Sequence, residues 1–366
     1  MELEPSILEG VVIKMFDAYS GKSVLITGDT GFKGSWLSIW LHHLGARVIG
    51  VALPPTSQRD NYVQCDLVQK IDHYDQDIRD YAELLETFRR HEPDVVFHLA
   101  AQALVLDSYS DPIKTFSSNV LGTVHVLEAI RHTPSIRAAV MVTSDKCYEN
   151  REWIYGYRER DRFGGRDPYS ASKGACEIVI SSYQSSFFSG KETTSVASAR
   201  AGNVMGGGDW SANRIVPDCI RSLEKGEPIK VRNPSAVRPW LHVLEPLSGY
   251  LTLGERLLTG GQEYSGGWNF GPEQRNMITV RKLAERCVSF WGEGTIEMPA
   301  MEAAPHEAHF LHLDISKAIN LLNWRPKLDF DSTVRMTIEE YRSGGRTRDE
   351  VYEQRVDHIE RYMSLK

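Results

Sequence analysis

Residues Ser23-Val24-Leu25-Ile26-Thr27 form a short apolar run that leads directly into Gly28-Asp29-Thr30-Gly31-Phe32-Lys33-Gly34. Trp36, Leu37, Ile39, Trp40, Leu41 and Leu44 then recur at helical spacing until Gly45 ends the pattern. Buried strand, glycine turn and helix together open a βαβ unit, which commits the chain to a parallel sheet with crossover helices. The three glycines divide the work. Gly28 makes a tight turn, Gly31 allows backbone to approach a pyrophosphate, and Gly34 lets the helix pack on the strand. Amides at the helix start then hold the anion, so the turn reads as a dinucleotide fingerprint spaced GxxGxxG.

Strand and helix patterns continue to alternate. Residues 47–53 read as the second parallel strand, but Pro54 and Pro55 stand where an acidic partner for the ribose hydroxyls is expected. Asp77-Ile78-Arg79-Asp80 precedes a helix over 81–91, and a strand over 95–99 ends in Ala100-Ala101-Gln102, small enough for a flat cofactor to approach. A helix over 112–131 carries Asn119, a strand over 138–143 runs into Ser144-Asp145-Lys146-Cys147-Tyr148, and 194–199 is a further strand. Beyond residue 203 the alternation loosens into helices near 214–223, 244–258, 279–291 and 330–342, with a strand at 268–270. The expected fold is therefore α/β, a Rossmann doubly wound parallel sheet with a smaller, discontinuous α/β substrate domain. Its boundaries are expected as a poorly ordered extension over 1–20 and a dinucleotide domain over 21–202, with segments near 236–272 returning to it. The substrate domain takes 203–235 and 273–345, and 346–366 forms a C-terminal segment. Met15 offers an alternative start.

Tyr169 and Lys173 lie behind a strong helix start, Asp167 as N-cap and Pro168 at the first helical position. Four residues apart, they share a helix face. A free phenol with a pKa of about 10 is a poor base at neutral pH, and a nearby cation is the means to bring it into use. An isolated YxxxK is also compatible with an ordinary surface helix; the fingerprint upstream favours the catalytic reading.

Bulk properties narrow the classes. A net charge of -7 with scattered basic residues gives no nucleic-acid footprint. Five cysteines, odd in number and without a CxxC, suggest neither a disulfide framework nor a thiolate metal site, and a reducing cytoplasm is the expected location. No apolar run approaches the roughly 18 residues of a membrane span. His306, His309 and His312 tempt a metal reading, but the stretch reads as a strand on which 309 faces away, so no metal is expected.

The strings TGDTGFKGSWLSIWL, TSDKCYENREW, DPYSASKGACE, ARAGN followed by GGGDW, and RPWLHVLEPL recur in this order. Together they resemble the nucleotide-sugar 4,6-dehydratases of the extended short-chain dehydrogenase/reductase family, from about residue 20 onward. The resemblance implies NAD as cofactor, held by Gly28, Thr30, Gly31, Phe32 and Gly34, with Asp77 and Ile78 near the adenine and Ala100 and Ala101 beside it. It implies a Ser144, Tyr169, Lys173 redox triad, with Tyr169 and Lys173 also touching the cofactor, and Asp145 and Lys146 as an elimination pair. Asn203, Arg214, Arg238 and His242 are implied in a nucleotide-sugar pocket, with CDP-glucose as substrate and deoxysugars for surface polysaccharide such as lipopolysaccharide as the destination. A homodimer is implied through the helices over 112–131 and 168–188, whose outer faces are expected to show Val120, Val124, Leu127, Ile178 and Ile180.

The chemistry explains the set. Water cannot leave across C5 and C6 of glucose until C4 is oxidised, which makes the C5 proton acidic. Tyr169 serves as base for the C4 hydroxyl, with Ser144 hydrogen-bonding the same oxygen. Lys146 is assigned as the C5 base, which requires a lowered pKa, and Asp145 as the C6 acid, which requires a raised one. Arg238 offers a fork of donors to diphosphate, although a solvated arginine before a proline would look the same in sequence. A 4-epimerase would need the triad without the pair, and a non-catalytic NAD-sensing protein would need neither. One departure stands out: the family usually reads Gly-His-Thr-Gly where this chain has Asp29. A carboxylate about 6 Å from the pyrophosphate would cost roughly 0.7 to 2.8 kcal/mol, partly offset by Lys33, so weak NAD retention is expected.

Overall fold

The computed structural model describes residues 15–190, 194–273, 277–298, 310–342 and 344–365. Six strands, β1 (Ser23–Thr27), β2 (Arg47–Ala52), β3 (Asp72–Asp75), β4 (Val95–His98), β5 (Ala138–Val142) and β6 (Ser195–Ala201), join Gly266–Phe270 in one sheet. All neighbours pair in parallel, in the order Gly266–Phe270, β6, β5, β4, β1, β2, β3. The order reverses between β1 and β4, and there the strand ends open a crevice. Both faces are covered, so the strands are apolar throughout: Val24 and Ile26 join the core beneath helix α1 (Phe32–His43), and Leu25 joins the opposite one. Strand β3 has no counterpart in the sequence reading. It is an edge strand of sequence Asp-His-Tyr-Asp and lacks the apolar run that marks its neighbours.

The segment over 112–131 is helical with an interruption: Pro112–Phe116 and Gly122–Arg131 flank a π-helical turn, Ser117–Leu121. The widened turn brings Asn119 inward, where its amide donates to Gln102 O (3.0 Å) and Ser172 Oγ (2.8 Å). Two of the side chains expected on the outer flank are not there. Leu127 and Ile180 are buried in the core below the sheet, because they lie on the stripes facing it, while Ile178 is exposed. Ile178 is joined at the surface by Ile113, Phe116, Leu121 and Phe187.

Helices Ile215–Lys225, Val280–Trp291 and Phe330–Tyr341 build the second core, with Val216, Ile220, Leu283, Val334 and Ile338 at its centre. Helix Leu244–Gly260 instead lies across the sheet beside β5 and β6. Two findings correct the expected ends of the chain. Phe16 and Tyr19 are buried in the main core, and the Tyr19 hydroxyl donates to Leu251 O at 2.7 Å, so the packed chain begins before residue 21. Residues 1–14 lie outside the described residues. At the other end Arg348–Ser364 is a helix opened by a Thr347/Glu350 capping box, a signal present in the sequence as T-x-x-E. It packs on α1 through Trp40 and Tyr362, whose ring centroids are 5.8 Å apart.

Candidate active site

The crevice is lined by the segments that leave the ends of β1, β4, β5 and β6. After β1, Gly28 takes a φ of +83°, and a Cβ there would lie 2.7 Å from Ala100 N, so Ala100 after β4 meets the turn at close range. A Cβ on Gly34 would come within 2.0 Å of Gly28 O. Gly31 is the N-cap of α1, is exposed, and leaves the first helical amides without a side-chain cap. An open amide cluster at a helix start, in a cradle that side chains would fill, fits a dinucleotide pyrophosphate. Thr30 Oγ1 donates to Leu53 O at 2.8 Å and braces the turn, while Phe32 lies beside Gly206. Asp77 follows β3 and is tied to Arg79, which holds its carboxyl below the ordinary range; Ile78 is buried against Gly122.

Asp29 does not face that anion site. Its carboxylate is fully buried under the sheet edge, with Oδ2 2.7 Å from His73 Nδ1 on β3, and His73 Nε2 reaches Asp75 at 3.0 Å. Gly50 makes this possible, since a Cβ there would lie 2.2 Å from the same oxygen. The expected repulsion between Asp29 and pyrophosphate therefore fails on orientation.

At the end of β5, Ser144 caps a short turn over Asp145–Cys147, accepting from Lys146 N at 3.2 Å and donating to Asp145 Oδ1 at 3.0 Å. Asp145 is buried, and burial raises its carboxyl above the ordinary value despite Lys146, Ser144 and Lys33, which pull it down. Lys146 is half-buried, with Nζ 5.8 Å from the centroid of the Tyr169 ring. Helix Pro168–Phe187 starts with Asp167 accepting from Ser170 N at 2.9 Å, which fixes Tyr169 in the first turn. Burial pushes the Tyr169 phenol up to about 12, although hydrogen bonding with Ser144 and the charge of Arg214 work the other way. This corrects the expectation of a phenol lowered by Lys173. Lys173 is itself enclosed, is lowered by that burial, and donates to Val142 O at 3.4 Å.

Below these groups a buried floor joins β5, β6 and the Pro168–Phe187 helix. Arg200 meets Glu177 at 2.7 Å, and Glu177 also accepts from Thr143 and from Ser198 (2.7 Å). After β6, Gly202 is glycine for want of space: a Cβ would sit 3.0 Å from Asp145 Oδ2 and 3.1 Å from Pro239 Cγ. Gly202 and Pro239 thus come alongside Asp145, with Asn203 and Arg238 their chain neighbours and Arg238 on a strand paired with Ile278. Arg214, N-cap of its helix, binds Asp209 at 2.8 Å and projects its charge towards Tyr169.

His242 is the misplaced member of the expected pocket. It is fully buried behind the 206–208 glycines, with Nε2 3.1 Å from Glu340 Oε1, because a partner 98 residues away draws it inward. His306 and His309 lie outside the described residues, His312 is buried beside Phe310, and no group of three or more potential metal ligands occurs among the described residues. Two residues near the candidate groups were not assigned to them from sequence, Lys33 and Tyr250. For Lys33 the available signal was a charged residue inside the fingerprint.

The geometry agrees with comparisons to known proteins. A family model for GDP-mannose 4,6-dehydratase matches residues 25–337. The chain belongs to that family. A CDP-glucose 4,6-dehydratase from Salmonella typhimurium is 46% identical over 320 residues, covering 86% of this chain and 89% of the relative. Among solved structures, a dTDP-glucose 4,6-dehydratase from Bacillus anthracis in complex with NAD has a TM-score of 0.74 at 20% identity, covering 88% of this chain and 97% of that one. A UDP-glucose 4-epimerase from Thermotoga maritima with UDP-glucose gives 0.73 at 22% identity, over 87% and 98%. Both structures share the fold of this member of the GDP-mannose 4,6-dehydratase family.

Proposed function

We propose that this member of the family is a hydro-lyase that converts CDP-glucose to CDP-4-dehydro-6-deoxyglucose and water. The observation that carries this reading is the buried, raised carboxyl of Asp145 set between Ser144 and Lys146 at the strand end that faces Tyr169. The 46% identical CDP-glucose 4,6-dehydratase supports the choice of nucleotide.

NAD held in this crevice would supply the hydride acceptor for C4 and the hydride donor for C6. Gly28, Gly31 and Gly34 would hold its pyrophosphate, and Tyr169 and Lys173, one turn apart on their helix, would face its nicotinamide. Tyr169 takes the C4 hydroxyl proton. Ser144 and Arg214 favour the phenolate, opposing the burial that raises it. Lys146, beside the Tyr169 ring and partly open to the crevice, removes the C5 proton; Asp145, kept protonatable by burial, gives its proton to the departing C6 hydroxyl. Gly202 holds the opposite wall close to that carboxyl, which excludes water from it.

We also assign the protein to the cytoplasm, where its five buried free cysteines stay reduced, and to a homodimer at least. Ile113 is 82% exposed and Ile178 61% exposed on neighbouring helical segments, an apolar flank suited to a second copy. Among the described residues no helix is long and apolar enough to cross a membrane. The test is incubation with CDP-, dTDP-, UDP- and GDP-linked hexoses, followed by mass spectrometry. Loss of one water from CDP-glucose, with deuterium carried from C4 to C6, is expected. Epimerised sugar of unchanged mass would refute the dehydratase reading.

A further inference from the structure

Lys33 sits in the first turn of α1, inside the fingerprint, where the turn and the packing require nothing of its side chain beyond fit. Its ammonium does not run to open solvent. It lies 5.9 Å from the centroid of the Tyr250 ring, on the helix that crosses the sheet, and it feels Arg214, Asp145 and Lys173. Tyr250 is fully buried with a hydroxyl that has no hydrogen-bond partner, and that hydroxyl interacts electrostatically with Tyr169 and Asp145. Lys33 therefore links the cofactor turn to the catalytic cluster.

The location has a consequence for charge. A dinucleotide anchored at the α1 amides and reacting beside Tyr169 would bring its nicotinamide close to Lys33, whose ammonium already feels Asp145, Arg214 and Lys173. The oxidised ring is a cation and the reduced ring is neutral, while the pyrophosphate is the same in both. We propose that Lys33 is a positioning residue that biases the cofactor site towards the reduced nicotinamide, favouring oxidation at C4 and retention of the reduced cofactor until the hydride is returned at C6. The inference rests on the NAD reading above. Burial lowers Lys33 to about 8, with Arg214 and Lys173 adding to the shift; the cations already gathered there would repel a further one.

The test is the ratio of dissociation constants for NAD⁺ and NADH, by calorimetry on the full-length protein stripped of copurified nucleotide. Parent, Lys33→Met, Lys33→Gln and Lys33→Arg are compared. At a separation of about 6 to 8 Å and an effective dielectric of about 40, one charge changes the ratio roughly six- to tenfold. Lys33→Met and Lys33→Gln should shift the ratio by that factor in favour of NAD⁺, and Lys33→Arg should keep the parent value. Packing or a contact to the pyrophosphate would move both constants together, so an unchanged ratio in Lys33→Met or Lys33→Gln overturns the proposal. An arginine variant that behaves like the methionine one overturns it too. Failure of the parent to bind either nucleotide would refute the cofactor reading itself, a result distinguishable from a shared shift.

Discussion

Two buried carboxylates, Asp145 at the end of β5 and Glu340 beneath the 206–208 glycines, are shifted in opposite directions. Asp145 accepts one side-chain hydrogen bond, from Ser144, and burial outweighs its cationic neighbours. Burial acts on Glu340 as well. There His242 and His358 overcome it and hold the carboxyl well below the ordinary value, with His358 Nδ1 at 2.8 Å and Gly207 N donating at 2.5 Å. Burial alone therefore does not mark a catalytic acid. What separates the two is the surroundings: two histidines and a backbone amide engage Glu340, whereas one serine hydroxyl engages Asp145.

The strongest test of this contrast is Asp145→Asn. Loss of a positioned acid should lower kcat by about 10² to 10⁴, and the denaturation midpoint should stay level or rise, since an ionised Asp145 costs stability where it is buried. Lys146→Met should give a similar loss while bound NADH absorbance still appears on adding substrate. Glu340→Gln should do the reverse, costing about 3 to 5 kcal/mol in denaturant unfolding while the folded fraction keeps its turnover. A variant pair with equal stability losses would break the comparison.

The same contrast predicts a pH dependence. Glu340 has a folded value below its unfolded one, so its contribution is complete above the unfolded value of about 4.3 and is lost as pH falls towards the folded one. Parent stability should therefore drop between about pH 5 and pH 3, and Glu340→Gln should flatten that part of the curve. An unchanged acid slope would show that other carboxylates govern it. The smallest effect concerns Asp29. Asp29→Asn should cost about 1 to 3 kcal/mol through its contact with His73, and it should leave the NAD dissociation constant within about twofold. A tenfold gain in affinity would return Asp29 to the anion site.

Much of the candidate site could be read from sequence because its parts are local. Gly28 to Gly34, Ser144 to Lys146, and Tyr169 with Lys173 are each short segments whose backbone fixes where their side chains go. What the sequence hid depends on distant partners. Asp29 turned inward because Gly50 leaves space and His73 stands behind it, and β3, which supplies His73, is too polar to be recognised as a strand. His242 looked like a pocket residue until Glu340 claimed it. Tyr169 was expected to be lowered by Lys173, whereas local desolvation dominates and Lys173 is engaged at Val142 O. The helix over 348–364 was readable from its capping box, and Leu127 and Ile180 could be placed only once the sheet below them was known.

That last helix has a consequence for how the protein is made. Arg355 lies 5.3 Å over the Trp36 ring and bonds Asn61 Oδ1 at 3.0 Å, Tyr362 meets Trp40 edge to face, and His42 pairs with Tyr352 at 2.7 Å. On the ribosome, the fingerprint helix emerges some three hundred residues before the segment that covers it. During that interval two indoles and a buried asparagine lack their partners, a surface that chaperones and proteases recognise. The 348–364 helix is therefore added late to a segment made early, and a chain that stopped before it would leave Trp36, Trp40 and Asn61 without these contacts.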